Sequence, residues 1–231
     1  MKKSNKLLLG GFLTGLLLIT AIHVTLYAKY KAGDYTVYNA EGDLASQSMQ
    51  TFPNILFVSV RNVPDATVKF SDVAGVEKVE NPGVVYVRRG DTLLITGTDS
   101  TNNHDFDYRV ALNLPHNATL SVFNSFLSFK TGKKTAESNP IIYLQKSQAI
   151  FSGAETPVQF GHLKVFASGS STATFRGNTQ INNLEVQLSH SSIEYTDGNF
   201  DQLSIVTDSV SRISLQSKHL LKANIKTIAS Q

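Results

Sequence analysis

The chain's 231 residues are enough for one ordinary domain plus an anchor or tail, and its 41% apolar and 17% charged residues are those of a folded protein. It has no cysteine, which excludes disulfides, thiolate metal sites and a cysteine nucleophile. The formal charge of +3 and pI near 9.0 come from Lys2, Lys3, Lys6, Lys29 and Lys31; without them 16 bases face 18 acids, so no nucleic-acid surface is expected.

Those lysines flank an apolar run from Leu7 to Ala28 that contains one ionisable residue, His23. A bilayer core needs about 20 helical residues, and the run exceeds the usual core of a cleaved signal peptide. It therefore reads as an uncleaved signal anchor that contacts the lipid bilayer through residues 7–28, with a signal peptide cleaved after Ala28 as the alternative. Three lysines before it and two after it put residues 1–6 in the cytoplasm and the remainder outside. Tyr27 and Tyr30 sit where an interfacial aromatic belt is expected. Gly11 and Gly15 form one GxxxG, which offers a homodimer contact between two such helices.

Residues 29–51, with Gly33, Glu41-Gly42-Asp43 and Ser46 to Gln50, read as a polar stalk. From Phe52 to the C-terminus the signal is short strands divided by turns. Ile55–Val60, Ala66–Phe70, Val84–Val87 and Thr92–Thr96 are rich in β-branched and aromatic residues. Pro64-Asp65, Asn81-Pro82-Gly83 and Gly90-Asp91 mark the turns between them. Asp99–Asp105 is a polar loop, after which Val110, Leu112 and Leu114 alternate with polar residues up to Pro115. No segment beyond the anchor shows a 3.6-residue apolar period, so the ectodomain is expected to be all-β.

The second half repeats itself. LKVFASGSSTATFRG (Leu163–Gly177) and LEVQLSHSSIEYTDG (Leu184–Gly198) open on Leu-x-Val, turn on serine and close on glycine, 21 residues apart. Looser copies run over Leu120–Gly132, Ile142–Gly153 and Leu203–Leu215. A fixed period near 20 built from short strands is the mark of a stacked repeat. One unit cannot cover its own apolar face, but copies about 4.8 Å apart turn Leu163, Val165, Leu184 and Val186 into columns. The corners Ser168–Ser171, Ser189–Ser192 and Asp208–Ser211 then lie above one another, and closing glycines at 132, 153, 177 and 198 suit positive φ. The expected fold is a parallel β-helix or solenoid over residues 52–231 with coils of about 20 residues, preceded by one N-terminal transmembrane helix. An antiparallel sandwich is the competing fold. Ile193 and Tyr195 fall one residue out of phase with Ala173 and Phe175, which demands a bulge or a tighter corner.

The arrangement resembles a bacterial domain family described as the auto-transporter adhesin head GIN domain, common in Bacteroidetes. The residues that carry the resemblance are Val110–Val122, which ends its strand on Leu-Pro, and LKVFASGSS as a coil. Of the corners only Ser168-Gly169-Ser170 keeps the family's Ser-Gly-Ser. The resemblance implies a β-helical fold and an envelope location, and it carries no activity or catalytic residue.

Candidate chemistry is sparse. His104, Asp105 and Asp107 form half a metal site in a loop. Asp197, Asn199 and Asp201 space oxygens as a calcium loop begins, but Gln202 stands where glycine is required and Asp208 where a bidentate Glu belongs. No Gly-x-Ser-x-Gly elbow or phosphate loop is present. Glu155, Glu185, Glu194, Asp197, Asp201 and Asp208 are scattered, although Glu194 and Asp208 stand on adjacent coils. Phe123, Phe126 and Phe129 offer a sugar platform, with part of the trio expected in the core. No catalytic, cofactor-binding or metal residue is assigned. The expectation is a non-enzymatic scaffold, binding or adhesion-like module, single-pass in the cytoplasmic membrane with its C-terminal domain in the periplasm. Its partner is an envelope glycan or protein. The alternative is a carbohydrate-active enzyme, a polysaccharide lyase or hydrolase on a β-helix.

Overall fold

A computed structural model describes residues 3–31, 49–77, 83–98, 110–130 and 137–228, with the side chains of the first segment described over 10–25 and at 27, 28 and 31. The chain divides into two compact units, Met1–Ser46 and Gln47–Gln231. The first holds helix α1 (Lys3–Lys31). Its polar side chains turn onto its own carbonyls: the Thr14, Thr20 and Thr25 hydroxyls donate to Gly10, Leu16 and Ala21, and His23 Nδ1 lies 2.9 Å from the Ile19 carbonyl. Among the described residues no helix is long and apolar enough to cross a membrane.

The second unit is a β-solenoid built on one 16-stranded sheet that wraps into two faces. The antiparallel sandwich is excluded, because Leu163 pairs in parallel with Leu184, and Leu184 with Leu203. Face A runs β5 (Val84–Arg89), β6 (Thr92–Gly97), β2 (Phe57–Arg61), β8 (Thr119–Phe123) and β10 (Ile141–Gln145). It continues through the second halves of β11 (Gln148–Ser168) and β12 (Thr172–Ser189) to β14 (Asn199–Thr207) and β16 (Ala223–Thr227). Face B runs β1 (Met49–Phe52), β4 (Ala74–Glu77), β7 (Val110–Pro115), β3 (Ala66–Ser71) and β9 (Phe126–Phe129). The first halves of β11 and β12, then β13 (Ser192–Tyr195) and β15 (Arg212–Leu215), complete it. Helix α2 (Ser217–Leu220) is a single turn between β15 and β16. Strand β1 takes residues 49–51 of the expected stalk into the sheet.

The coils are not stacked wholly in chain order. The coil of β6 and β7 lies outside that of β2 and β3, although it comes later in sequence. Gly97 makes this fit, since a Cβ there would stand 1.9 Å from the Asn62 carbonyl oxygen.

The interior is filled by in-register columns. Phe129, Phe151, Phe175 and Tyr195 stack with centroids 4.4, 4.6 and 5.3 Å apart, each ring on the next coil. Such pairs contribute about 0.5–1.5 kcal/mol each beyond their buried area. Phe160 and Phe70 close the column edge-on or stacked from the side. The phase slip is a tighter corner: Ile193 pairs with both Ala173 and Ile213, and Gly169 is an extra residue in the neighbouring corner.

The corner between faces A and B is the most regular feature. Ser125, Ser147, Ser171 and Ser191 are buried, and each hydroxyl accepts the N–H of the corresponding residue one coil before. Ser211 continues the series by accepting from Ser191 N–H at 3.1 Å. The hydroxyls of Ser125, Ser147 and Ser191 also donate to the carbonyl two residues back. The residue before each of these serines turns into left-handed backbone: Asn124 (φ 47°), Lys146 (φ 51°), Ser170 (φ 68°) and His190 (φ 49°). Asparagine adopts that region readily, whereas lysine, serine and histidine do so at a cost of about 1–2 kcal/mol. The interstrand bonds offset it, as Asn124 donates to Gln145 O, Lys146 to Ser168 O and Ser170 to His190 O. Of the expected closing glycines, Gly177 (φ 58°) and Gly198 (φ 115°) have positive φ, Gly153 does not, and Gly132 lies outside the described residues.

Candidate functional site

Of the polar side chains that suggested chemistry, Asp208 and Glu185 are committed to bonds between coils. Asp208 accepts from the N–H groups of His190, Val210 and Ser211 and from the Ser211 hydroxyl. The Ser211 bond first, then those backbone donors, holds its carboxyl at about 2. It thus closes the last corner and is not directed at Glu194, which lies in register between Thr174 and Ser214. Asp197 turns back to accept from Gly198 N–H at 2.8 Å. Among the described residues no group of three His, Asp or Glu side chains is placed to hold a metal ion. His104, Asp105 and Asp107 lie outside the described residues.

Two clusters of chemical interest do assemble. On face A the Glu185 carboxylate bridges His162 Nε2 at 2.9 Å and Lys164 Nζ at 3.0 Å. The Lys164 hydrogen bond, followed by the charges of Lys164 and His162, holds its carboxyl below the usual range. A carboxylate stabilised as an anion in this way is the opposite of a general acid. At the crossing from β7 to β8, His116 Nδ1 lies 2.7 Å from Ser138 Oγ and its Nε2 lies 3.8 Å from Asp72. This is a Ser-His-Asp grouping in composition only. Ser138 is 1% exposed, out of reach of a substrate, while Asp72 is 98% exposed and orients the imidazole weakly.

What remains available lies on the outside of face A. Position by position the outward residues there run Ser121, Tyr143, Phe166 and Gln187 on successive coils. The Tyr143 and Phe166 rings stack at 4.8 Å, with Tyr143 44% exposed. Beside them a second outward row, Gln145, Ser168 and Ser189, forms the other bank of a shallow trough of about 230 Å³. No side chain lining it is charged. The expected platform of Phe123, Phe126 and Phe129 does not form: Phe129 is fully buried in the aromatic column and the other two are half-buried. The trough's signal was present in the sequence, as the outward members of Ile141–Gln145 and Lys164–Ser168, but it emerges only when the coils are aligned.

No family model, no curated protein and no solved structure matches the chain.

Proposed function

We propose that the chain is a membrane-anchored, non-enzymatic protein of the cell envelope whose solenoid acts as scaffold and binding module. The uncharged trough over Tyr143 and Phe166 carries this reading. Among the described residues it combines exposed aromatic area with amide and hydroxyl groups, while the neighbouring Glu185 and Asp208 carboxylates are tied into an ion pair and a corner. Aromatic edges with amides and hydroxyls suit an uncharged envelope glycan. The Leu7–Ala28 run supplies the anchor and, with its flanking lysines, sets the solenoid on the periplasmic side of the cytoplasmic membrane. The resemblance to the GIN domain family is part of the same proposal. A Gly11–Gly15 contact between two anchors fits it as well.

Affinity electrophoresis of the full chain in detergent through gels of neutral and acidic polysaccharides tests the reading. Retardation by a neutral polymer is expected, and it should be lost in a Tyr143→Ala, Phe166→Ala double variant. Release of reducing ends would replace the proposal with the lyase or hydrolase alternative. Recovery of the intact chain in the cytosolic fraction would remove the anchor.

A further inference from the structure

The last described coil of the solenoid has an open edge. Along face A one inward column runs from Leu120 through Ile142, Val165 and Val186 to Ile205, each at most 3% exposed. Ile225 is next in register, below Ile205, and is 41% exposed. It is interior by position yet open to solvent, because among the described residues no strand lies beyond β16.

The backbone carries the same vacancy. Ile228 N–H donates to Thr207 O at 2.8 Å. Bonding alternates along a parallel strand, so the N–H groups of Ile225 and Thr227 point to the opposite edge. Among the described residues β16 pairs with β14 alone. An unpaired edge over open apolar side chains is a template for strand addition. Its charge selects the partner. At this end the cations Arg212, Lys218, Lys222 and Lys226 outnumber the carboxylates of Asp208, which is spent on the corner, and Asp197, which turns back onto Gly198 N–H. A second copy would bring the same cations to the seam.

We propose that β16 accepts an extended acidic segment of a partner protein as an added strand. Alternate apolar side chains of that segment cover Ala223, Ile225 and Thr227, and its carboxylates lie outward near Lys226. This rests on the reading of the solenoid as a binding module and is independent of the trough and the anchor.

The test titrates the full chain in detergent with a labelled decapeptide of alternating valine and glutamate, read by fluorescence anisotropy. A valine–lysine decapeptide is the control. The acidic peptide is expected to bind at least about tenfold tighter than the basic one at low salt, and to weaken as salt rises. Thr227→Pro removes an outward N–H and keeps every bond to β14, so it should cost about tenfold or more in affinity. Lys226→Glu, an exposed change that does not threaten folding, should weaken the acidic peptide and favour the basic one. Equal binding of the two peptides, or unchanged binding by both variants, overturns the proposal. So does light scattering that shows a dimer dissolved by Thr227→Pro, which would assign the edge to a second copy. Polysaccharide retention without peptide binding would sink this inference alone; loss of both would sink the binding-module reading.

Discussion

The two ends of the solenoid meet the same difficulty differently. At the N-terminal end strands that reverse direction take over the column edges: β5 is antiparallel to β6 on face A, and β4 and β1 are antiparallel on face B. The two caps are tied together, since Phe52 packs edge-on to Tyr86 at 5.9 Å and the Tyr86 hydroxyl donates to Gln50 at 2.8 Å. At the C-terminal end one helical turn lays His219 over Tyr195 and Phe200, at 4.9 and 4.6 Å between centroids. Among the described residues Tyr195 Oη and His219 Nε2 are both buried there without a hydrogen-bond partner. Repeat stacks need caps that differ from their interior units. The N-terminal cap satisfies edges, whereas the C-terminal one plugs the core and leaves the edge of β16 unpaired.

The largest expected effect lies between these ends. Phe175→Ala deletes the middle of the aromatic column, where rings lie on both sides at 4.6 and 5.3 Å, and should cost about 3–5 kcal/mol in urea unfolding. A loss near 1 kcal/mol would mean that the column is loosely packed and that the caps carry the stability. Ser147→Ala should cost about 1–3 kcal/mol, because the buried Ser125 N–H loses its acceptor. A neutral result would show water reaching the corner, and amide exchange at Ser125 would reveal it.

The interior coils were legible because each copy repeats the same few constraints. Leu-x-Val fills a column, serine satisfies the N–H of the corner before it, and both recur at a spacing that stacking enforces. The one-residue slip at Ile193 was visible for the same reason, and a corner one residue shorter than those of the coils on either side accounts for it. The ends were not legible. Strands β6 and β2 each read correctly as strands, but nothing periodic in Thr92–Gly97 says that it lies outside Phe57–Arg61. That order is set by long-range pairing and by the close approach of Gly97 to Asn62. Nor does the Ser217–Leu220 turn announce itself, for a single turn has no period. The trough was half legible: Tyr143 and Phe166 were outward by alternation, yet only the register across coils makes them neighbours.

Acid should separate the ends. Burial lowers the pKa of His219, and the nearby Lys218 and Lys222 act in the same direction against Asp197. The unfolded chain therefore binds this proton more readily than the folded one. The stability it protects is complete above the unfolded value, near 6.5, and is lost as pH falls toward the lower folded value. Between pH 7.5 and 5 hydrogen exchange, corrected for the intrinsic rate at each pH, should accelerate at Ala223–Thr227 before it does at Val110–Pro115. His219→Phe should abolish the difference. Simultaneous acceleration in both strands would remove the distinction between a plugged end and a paired one.

The smallest effect, that of truncating Ile225, is also the most discriminating when set beside Ile205. Ile205→Ala, fully buried, should cost about 2–5 kcal/mol, whereas Ile225→Ala, 41% exposed one coil further on, should cost less than about 1 kcal/mol. The two residues share a column and a side chain, so the gap between them measures the missing neighbour. Saturating acidic peptide should narrow that gap, because a strand across β16 turns Ile225 into an interior residue and raises the cost of truncating it. A gap already closed without the peptide would mean that the edge is covered in solution, and the contrast between the two ends would vanish with it.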